Sequence, residues 1–305
     1  MKNIGRENPS LLYNVVCDTP EGGDFLVDTM PDYLDADPID NSKPHVHTFY
    51  EIIWFRKAGG THTVDFQEYP VLRDSLFLLC PGQVHHFDGR TRHEGILLKF
   101  CTDFLKDDQP EEDAFVRCDL FNVFDPSPYC LLRDPKSVGE MLGIVERMRR
   151  ELENADAFAH QEMIRSLAKI FLIYIHRHGE RRGTLPLSEM NPRHRLFIRF
   201  RQMVEQRYTT LHTVQEYARE LAVSQKTLSL SVRECSGKSP LALINTRIAL
   251  EAKRLTVFTN LMTKEIAYRL GFDDPSYFLK LFKRETGFLP SDFRRLGRSN
   301  LTDEP

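Results

Sequence analysis

The sequence predicts an α+β chain of two domains: a small N-terminal β-barrel with helices appended, then a domain that is entirely helical. Three observations predict it. Short apolar runs between turn signals fill residues 44–105. The apolar spacing changes to a helical period at residue 137. Beyond residue 193 a helical pattern repeats itself at an offset of 49 to 50 residues.

Residues 1–40, with Pro9, Pro20, Pro31 and Pro38 and many aspartates, read as an arm plus one or two edge strands. The β runs are Glu51–Arg56, Thr61–Phe66, Ser75–Leu79 and Gly95–Phe100. Gly59-Gly60, Arg73-Asp74, Pro81-Gly82 and Asp88-Gly89 punctuate them. Many short strands with regular turns suit a sandwich or small barrel. Val138, Leu142, Val145, Met148 and Leu152 mark one amphipathic helix; Met163, Leu167, Ile170 and Tyr174 mark a second. Asp134 is placed to cap the first, with Pro135 at its first position. This helix pair either covers the β core or forms a dimer interface. Gly183, Pro186 and Pro192 mark a linker, so the expected division is 1–180 for the β domain, 181–192 for the linker and 193–305 for the helical domain.

Composition narrows the class. Of 305 residues, 41% are hydrophobic and 28% charged, as in soluble globular proteins. The polar stretch Met1–Ser10 lacks the apolar core of a secretory signal, and no run reaches the roughly 18 apolar residues of a membrane span, so a cytoplasmic protein without membrane contact is expected. Cys17, Cys80, Cys101, Cys118, Cys130 and Cys235 show no C-x-x-C pair, which suits reduced thiols. The net charge of −3 hides an asymmetry: Arg193–Pro305 holds 20 basic and 12 acidic residues (+8), the rest 21 and 32 (−11). The basic part can neutralise phosphates; the acidic part would be repelled by them.

The repeat identifies what the basic part is. Ala218 matches Ala267, Leu221 matches Leu270 and Val223 matches Phe272. After one inserted residue, Leu228 matches Phe278, Val232 matches Phe282, Gly237 matches Gly287, Pro240 matches Pro290 and Leu243 matches Phe293. Each copy follows the logic of a helix-turn-helix, over about 213–235 and 263–285. In the first, Thr213–Leu221 turns its Val214, Tyr217, Ala218 and Leu221 inward, and Ser224 caps Gln225–Cys235. In the second, Thr263–Leu270 ends at Gly271, Phe272 plugs the core, and Asp274 with Pro275 starts the next helix. Leu241–Phe258 connects the two and would space their recognition helices to enter major-groove segments one helical turn, about 34 Å, apart.

Over residues 193–296 the sequence resembles the AraC/XylS transcription regulators. The stretch Ile266-Ala267 … Gly271-Phe272-Asp273-Asp274-Pro275-Ser276-Tyr277-Phe278 … Phe282-Lys283 … Gly287 … Pro290 … Phe293-Arg294 is similar to that family's C-terminal signature almost position for position. The first unit departs from it at Leu230, Ser231 and Val232, where the family commonly carries a polar, a basic and an aromatic residue. Bases are read near the start of each recognition helix, which singles out Gln225, Lys226 and Ser229 in the first unit and Ser276, Leu279 and Lys280 in the second. Arg233, Lys238, Lys283 and Arg284 are placed for phosphates.

The N-terminal domain carries a second constellation: His45-x-His47-x-x-x-Glu51, then Pro81-Gly82-Gln83-Val84-His85-His86. Residues 45, 47 and 51 share parity and face one side if they lie on one strand, and the turn after Leu79 can bring His85 beside them. Tyr50 and Trp54 then face the other side, toward the helices, and His62, also in a strand run, suits the surface as well as the interior. Two or three histidines plus a carboxylate can bind Fe, Mn, Ni or Zn. The patterns resemble the two motifs of cupin barrels over about residues 44–100. Three readings stay open: internal hydrogen bonding, an effector pocket formed by His45, His47, Glu51 and His85, or a metal. Of these, an effector pocket is expected, with no metal or other cofactor and no catalytic residue.

The resemblance implies a cytoplasmic transcription regulator, commonly an activator, that binds promoter DNA as a homodimer, responds to a small-molecule effector and works with RNA polymerase. No nucleophile elbow, phosphate loop or paired-acid motif points to an enzyme. The alternatives are a cupin metalloenzyme with an accessory DNA-binding domain and a dimeric DNA binder that needs no ligand.

Overall fold

The computed structural model describes residues 14–16, 25–30, 41–101, 104, 120–121, 128–180 and 192–302. Most of the N-terminal arm and all of the linker but Pro192 fall outside them, as do Cys17 and Cys118. The chain forms two compact units.

In the first unit the strands are β1 (Asn14–Val16), β2 (Phe25–Thr29), β3 (His45–His47), β4 (Tyr50–Phe55), β5 (Thr61–Val64), β6 (Gln67–Pro70), β7 (Ser75–Leu79), β8 (His85–Phe87), β9 (Gly95–Phe100), β10 (Tyr129–Leu132) and β11 (Gly179–Glu180). They make two sheets, ordered β1-β3-β8-β5-β6 and β11-β10-β7-β4-β9-β2. Every strand pair is antiparallel except β1 with β3. The expected turns form, with positive φ at Gly59, Gly60, Asp74 and Gly82.

Helices α1 (Pro135–Leu152) and α2 (His160–His178) complete the unit. Asp134 accepts from the Lys136 and Ser137 amides with Pro135 at the start, so α1 begins where the sequence placed it. The central strand β4 explains the layering. Its Ile52 and Trp54 join Leu76, Leu78, Leu98, Val145, Met148, Ile164 and Phe171 in one core, between sheet and helices. Its Ile53 and Phe55 join Val64, Phe77, Leu79, Phe87 and Leu97 in another, between the sheets. A strand buried on both faces reads as a continuous apolar run, which is what Ile52-Ile53-Trp54-Phe55 is.

The inward stripe of α2 differs from the expected one. Met163 and Ile170 are 51% and 43% exposed, whereas Ile164, Leu167, Ala168, Phe171, Leu172 and Ile175 are buried. The helix carries two neighbouring apolar stripes; spacing cannot say which one meets the sheet.

The second unit contains α3 (Pro192–Arg207), α4 (Val214–Glu220), α5 (Gln225–Ser236), α6 (Pro240–Phe258), α7 (Thr263–Arg269), α8 (Pro275–Thr286) and α9 (Pro290–Thr302). Pro192, assigned by sequence to the linker, opens α3. A capping box starts α4: the Thr213 hydroxyl accepts from the Glu216 amide, and the Glu216 carboxylate accepts from the Thr213 amide. Ser224 caps α5, Ser239 caps α6 and Asp274 caps α8. α6 packs against α3, α5, α7, α8 and α9. Accordingly, Leu243, Ile244, Ile248, Ala249, Ala252, Leu255, Val257 and Phe258 are all buried. At its C-terminal end, Arg294 and Arg298 of α9 donate to the carbonyls of Thr256, Leu261, Val257 and Thr259.

Candidate functional site

In the helical unit the caps fix where each recognition helix begins, and the buried residues fix which face it shows. Leu228, Ser231 and Val232 are the buried face of α5; Phe278, Leu281 and Phe282 are that of α8. Gln225, Lys226, Arg233 and Lys238 are therefore exposed, with Ser229 half-buried. Ser276, Lys280, Lys283 and Arg284 are exposed, with Leu279 half-buried. Every residue singled out for DNA thus lies on an accessible face or at its edge. Arg284 also pairs with Glu285 at 2.9 Å, a contact a phosphate would compete for. The departure at Ser231 has a local cause: its hydroxyl, fully buried, donates to the Arg193 carbonyl at 2.6 Å and ties α5 to α3.

Within the helical unit, the turns of the two helix-turn-helix motifs are joined directly. His212, just ahead of α4, donates from Nε2 to the Leu270 carbonyl at 3.0 Å and stacks on Phe272 at 4.4 Å. A Cβ on Gly271, whose φ is +81°, would overlap the Thr209 carbonyl oxygen. The turn of the second helix-turn-helix therefore packs on the segment that enters the first.

In the β unit the histidine constellation assembles, though by a different route from the expected one. His45 and His47 lie on β3 and Glu51 on β4, which belong to different sheets. The chain crosses between sheets at Thr48-Phe49, so residues 45, 47 and 51 do not share a strand. They meet because Glu51 has the inward parity of Ile53 and Phe55 and the sheets face each other. His85 joins through strand register, opposite His45. His45, His47, Glu51 and His85 are all 1% exposed or less. Trp54 is on the opposite face and meets Phe171 of α2 at 6.1 Å, as strand parity implied.

The hydrogen bonds are specific. His47 Nδ1 donates to the Phe49 carbonyl at 3.0 Å, and His47 Nε2 lies 3.1 Å from Glu51 Oε2. His45 Nδ1 donates to the Lys43 carbonyl at 3.0 Å. His85 Nε2 lies 3.7 Å from Glu51 Oε2, and Lys99 Nζ lies 3.9 Å from Oε1. Burial opposes ionisation of Glu51, but His47 and then Lys99 outweigh it and hold the carboxyl below its usual range. Burial, reinforced by neighbouring histidines, holds the His62 and His85 imidazoles well below theirs, so both are neutral.

The sequence leaves His62 open between surface and interior, and the fold decides it. His62 is fully buried, and its Nε2 is 3.1 Å from His85 Nδ1. The signal was there: His62 shares parity with Val64, whose side chain faces the core. Lys99 was missed because its place beside Glu51 is set by the pairing of β4 with β9, which spacing does not reveal.

Two family models match the chain. An AraC-like ligand-binding domain matches residues 32–167, and a helix-turn-helix domain matches residues 217–296. The chain belongs to the AraC family. This AraC-family chain is 22% identical over 263 residues to the HTH-type transcriptional activator RhaR of Escherichia coli K12, covering 86% of this chain and 90% of that protein. The Shigella dysenteriae RhaR gives the same identity and coverage. Among solved structures, the C-terminal domain of the response regulator AraT from Geobacillus stearothermophilus is 30% identical, covers 35% of this chain and 88% of that one, and has a TM-score of 0.32. ToxT from Vibrio cholerae is 16% identical over 90% of this chain and 98% of its own, with a TM-score of 0.39. The AraC-family chain is thus a DNA-binding transcription regulator with an effector-binding N-terminal domain. No helix among its described residues is long and apolar enough to cross a membrane.

Proposed function

We propose that the protein is a cytoplasmic, homodimeric transcription activator. In this reading residues 1–180 bind effector and dimerise, 181–192 link, and 193–305 bind promoter DNA and meet RNA polymerase. The observation that carries it is the pair of capped recognition helices, α5 and α8, each with its apolar face buried and its polar and cationic face open. Gln225, Lys226, Ser229, Ser276, Leu279 and Lys280 read bases; Arg233, Lys238, Lys283 and Arg284 hold phosphates. His45, His47, Glu51 and His85 form the effector site, to which His62 is added. The protein is not an enzyme in this reading; its relatives are named as regulators.

Dimerisation has its own support. On α2, the half-buried or exposed Met163, Ser166, Ile170, Ile173 and Arg177 are spaced 3, 4, 3 and 4, the seam a second helix can pack against. Phe158, just before the helix, is fully exposed.

Fluorescence anisotropy of the full chain on its own upstream DNA and on random DNA tests the DNA reading. The upstream DNA should bind more tightly at matched salt. Lys280→Ala should weaken specific binding by about 1–3 kcal/mol. Equal affinity for both DNAs, with and without cell extract, would sink it.

A further inference from the structure

We infer that Leu230 of α5 determines specificity: it packs against the 5-methyl group of a thymine in the major-groove segment that the first helix-turn-helix enters, at the step where the second, through Lys280, takes a guanine. The inference rests on reading α5 and α8 as the helices that face DNA, and it names a contact which that reading did not include.

The repeat sets the comparison. Leu228 matches Phe278 and Val232 matches Phe282, so Leu230 stands where Lys280 stands in the second unit. The fold makes the two positions equivalent on their helices. α5 and α8 are each 12 residues long, start at a capping side chain and end at a glycine of positive φ. They bury the same three positions, Leu228, Ser231 and Val232 in one and Phe278, Leu281 and Phe282 in the other. Successive residues turn by about 100°, which puts Leu230 about 150° from the middle of the buried face. It is 48% exposed. Lys226, Thr227, Arg233 and Glu234, one turn before and after it, are exposed as well. Leu230 is therefore the centre of the outward face, as Lys280 is among Ser276, Tyr277, Lys283 and Arg284.

Centre and rim of such a face meet different chemistry. In a helix laid in the groove, the rim runs beside the phosphates and the centre points at base edges. A leucine at the centre offers neither donor nor acceptor. The apolar feature of a base edge in the major groove is the thymine methyl. Gln225, exposed at the start of α5, suits adenine, so both side chains favour A·T pairs. Lys280 suits the O6 and N7 acceptors of guanine. The two recognition helices thus share one shape and ask for different bases.

α5 is held so that Leu230 keeps this direction. The Ser231 hydroxyl donates to the Arg193 carbonyl at 2.6 Å, and the Arg193 guanidinium pairs with Glu234. Both contacts tie α5 to the start of α3. The second also offsets the carboxylate beside Leu230, which would otherwise repel phosphate.

The test lets the full chain select duplexes from a randomised pool. Affinities are then measured on the wild-type consensus with each thymine replaced in turn by deoxyuridine, which lacks only the methyl. For wild type, one replacement should weaken binding about fourfold, the effect of one buried methyl group. Leu230→Ala should bind the unmodified consensus about 5–10-fold more weakly and be indifferent to that same replacement. Its own selection should lose the preference for thymine at that position and keep the rest of the motif, whose survival shows that the variant folds. Leu230→Lys should select guanine there. The same motif and affinity with Leu230→Ala overturn the contact; so does a thymine methyl that matters equally to wild type and to Leu230→Ala. Loss of transcription by Leu230→Ala in a reconstituted system, with DNA affinity unchanged, also overturns it and gives Leu230 to a protein partner. Lys280→Ala altering the motif while Leu230→Ala does not strikes Leu230 alone and leaves the DNA reading standing. A wild-type chain that selects no motif overturns both.

Discussion

Ala222 and Gly271 occupy equivalent turns of the two helix-turn-helix units, and both take positive φ, +55° and +81°. Only one of them has to be glycine. Gly271 lies against the Thr209 carbonyl, where a Cβ has no room. Gly271→Ala should destabilise the helical unit by about 2–4 kcal/mol, from strain and overlap together, in denaturant unfolding of the full chain. Ala222→Gly should stay within about 1 kcal/mol, because relief of left-handed strain offsets the extra freedom of the unfolded chain. The repeat alignment made Gly271 conspicuous, but its reason, a neighbouring carbonyl, belongs to the fold. His62 teaches the same lesson in the β unit: its identity is plain, while its role depends on reaching His85 across two strands.

Helix α6 is tied to α3 through a charge cluster centred on the buried Arg247. Arg247 donates bidentately to Glu205 of α3 at 2.8 and 2.9 Å and reaches Glu251 at 3.2 Å, with Tyr208 under its guanidinium at 3.9 Å. Glu251 also receives Arg254. Arg247→Met leaves two carboxylates without their partner and should cost about 2–4 kcal/mol, given that both are partly exposed. Burial alone would raise the Glu251 pKa, but Arg247 and Arg254 prevail and lower it from its ordinary value of 4.5. The depressed folded value means the stabilisation is complete above pH 4.5 and is lost as the pH falls below it. Unfolding measured from pH 7 downward should show that loss, and Glu251→Gln should make it shallower. On α2, Met163→Glu with Ile170→Glu should turn a dimer into a monomer in sedimentation, since both lie on the face the β unit leaves open. Which of the two α2 stripes faced inward was not legible from spacing; the packed sheet chose it.

Across the whole molecule the charge asymmetry acts at long range. The helical part carries +8 and the rest −11, and Arg233, Lys238, Lys283 and Arg284 lie exposed on or beside the recognition helices. If all four meet phosphate, log affinity should fall with log salt at a slope of about −3 to −4. Lys283→Ala should reduce that slope by about 1 and leave the preference for the upstream site unchanged. Lys280→Ala should erode the preference itself. A titration of both variants from low to moderate salt separates the two roles.

The sequence alone determined the division into a β part and a helical part, the two helix-turn-helix units with their caps, and the residues that each second helix leaves exposed. These follow from local rules: a cap is adjacent to its helix, and a recognition face is whatever the apolar stripe leaves. It also brought His45, His47, Glu51 and His85 under one suspicion, although its premise of a shared strand was wrong. Only the tertiary structure showed that β3 and β4 belong to different sheets and that Glu51 meets the histidines across the space between them. The same packing decided the burial of His62, the approach of Lys99 and the inward stripe of α2. Such facts depend on which strands pair and which sheets face, contacts between residues far apart in the chain that local periodicity does not encode.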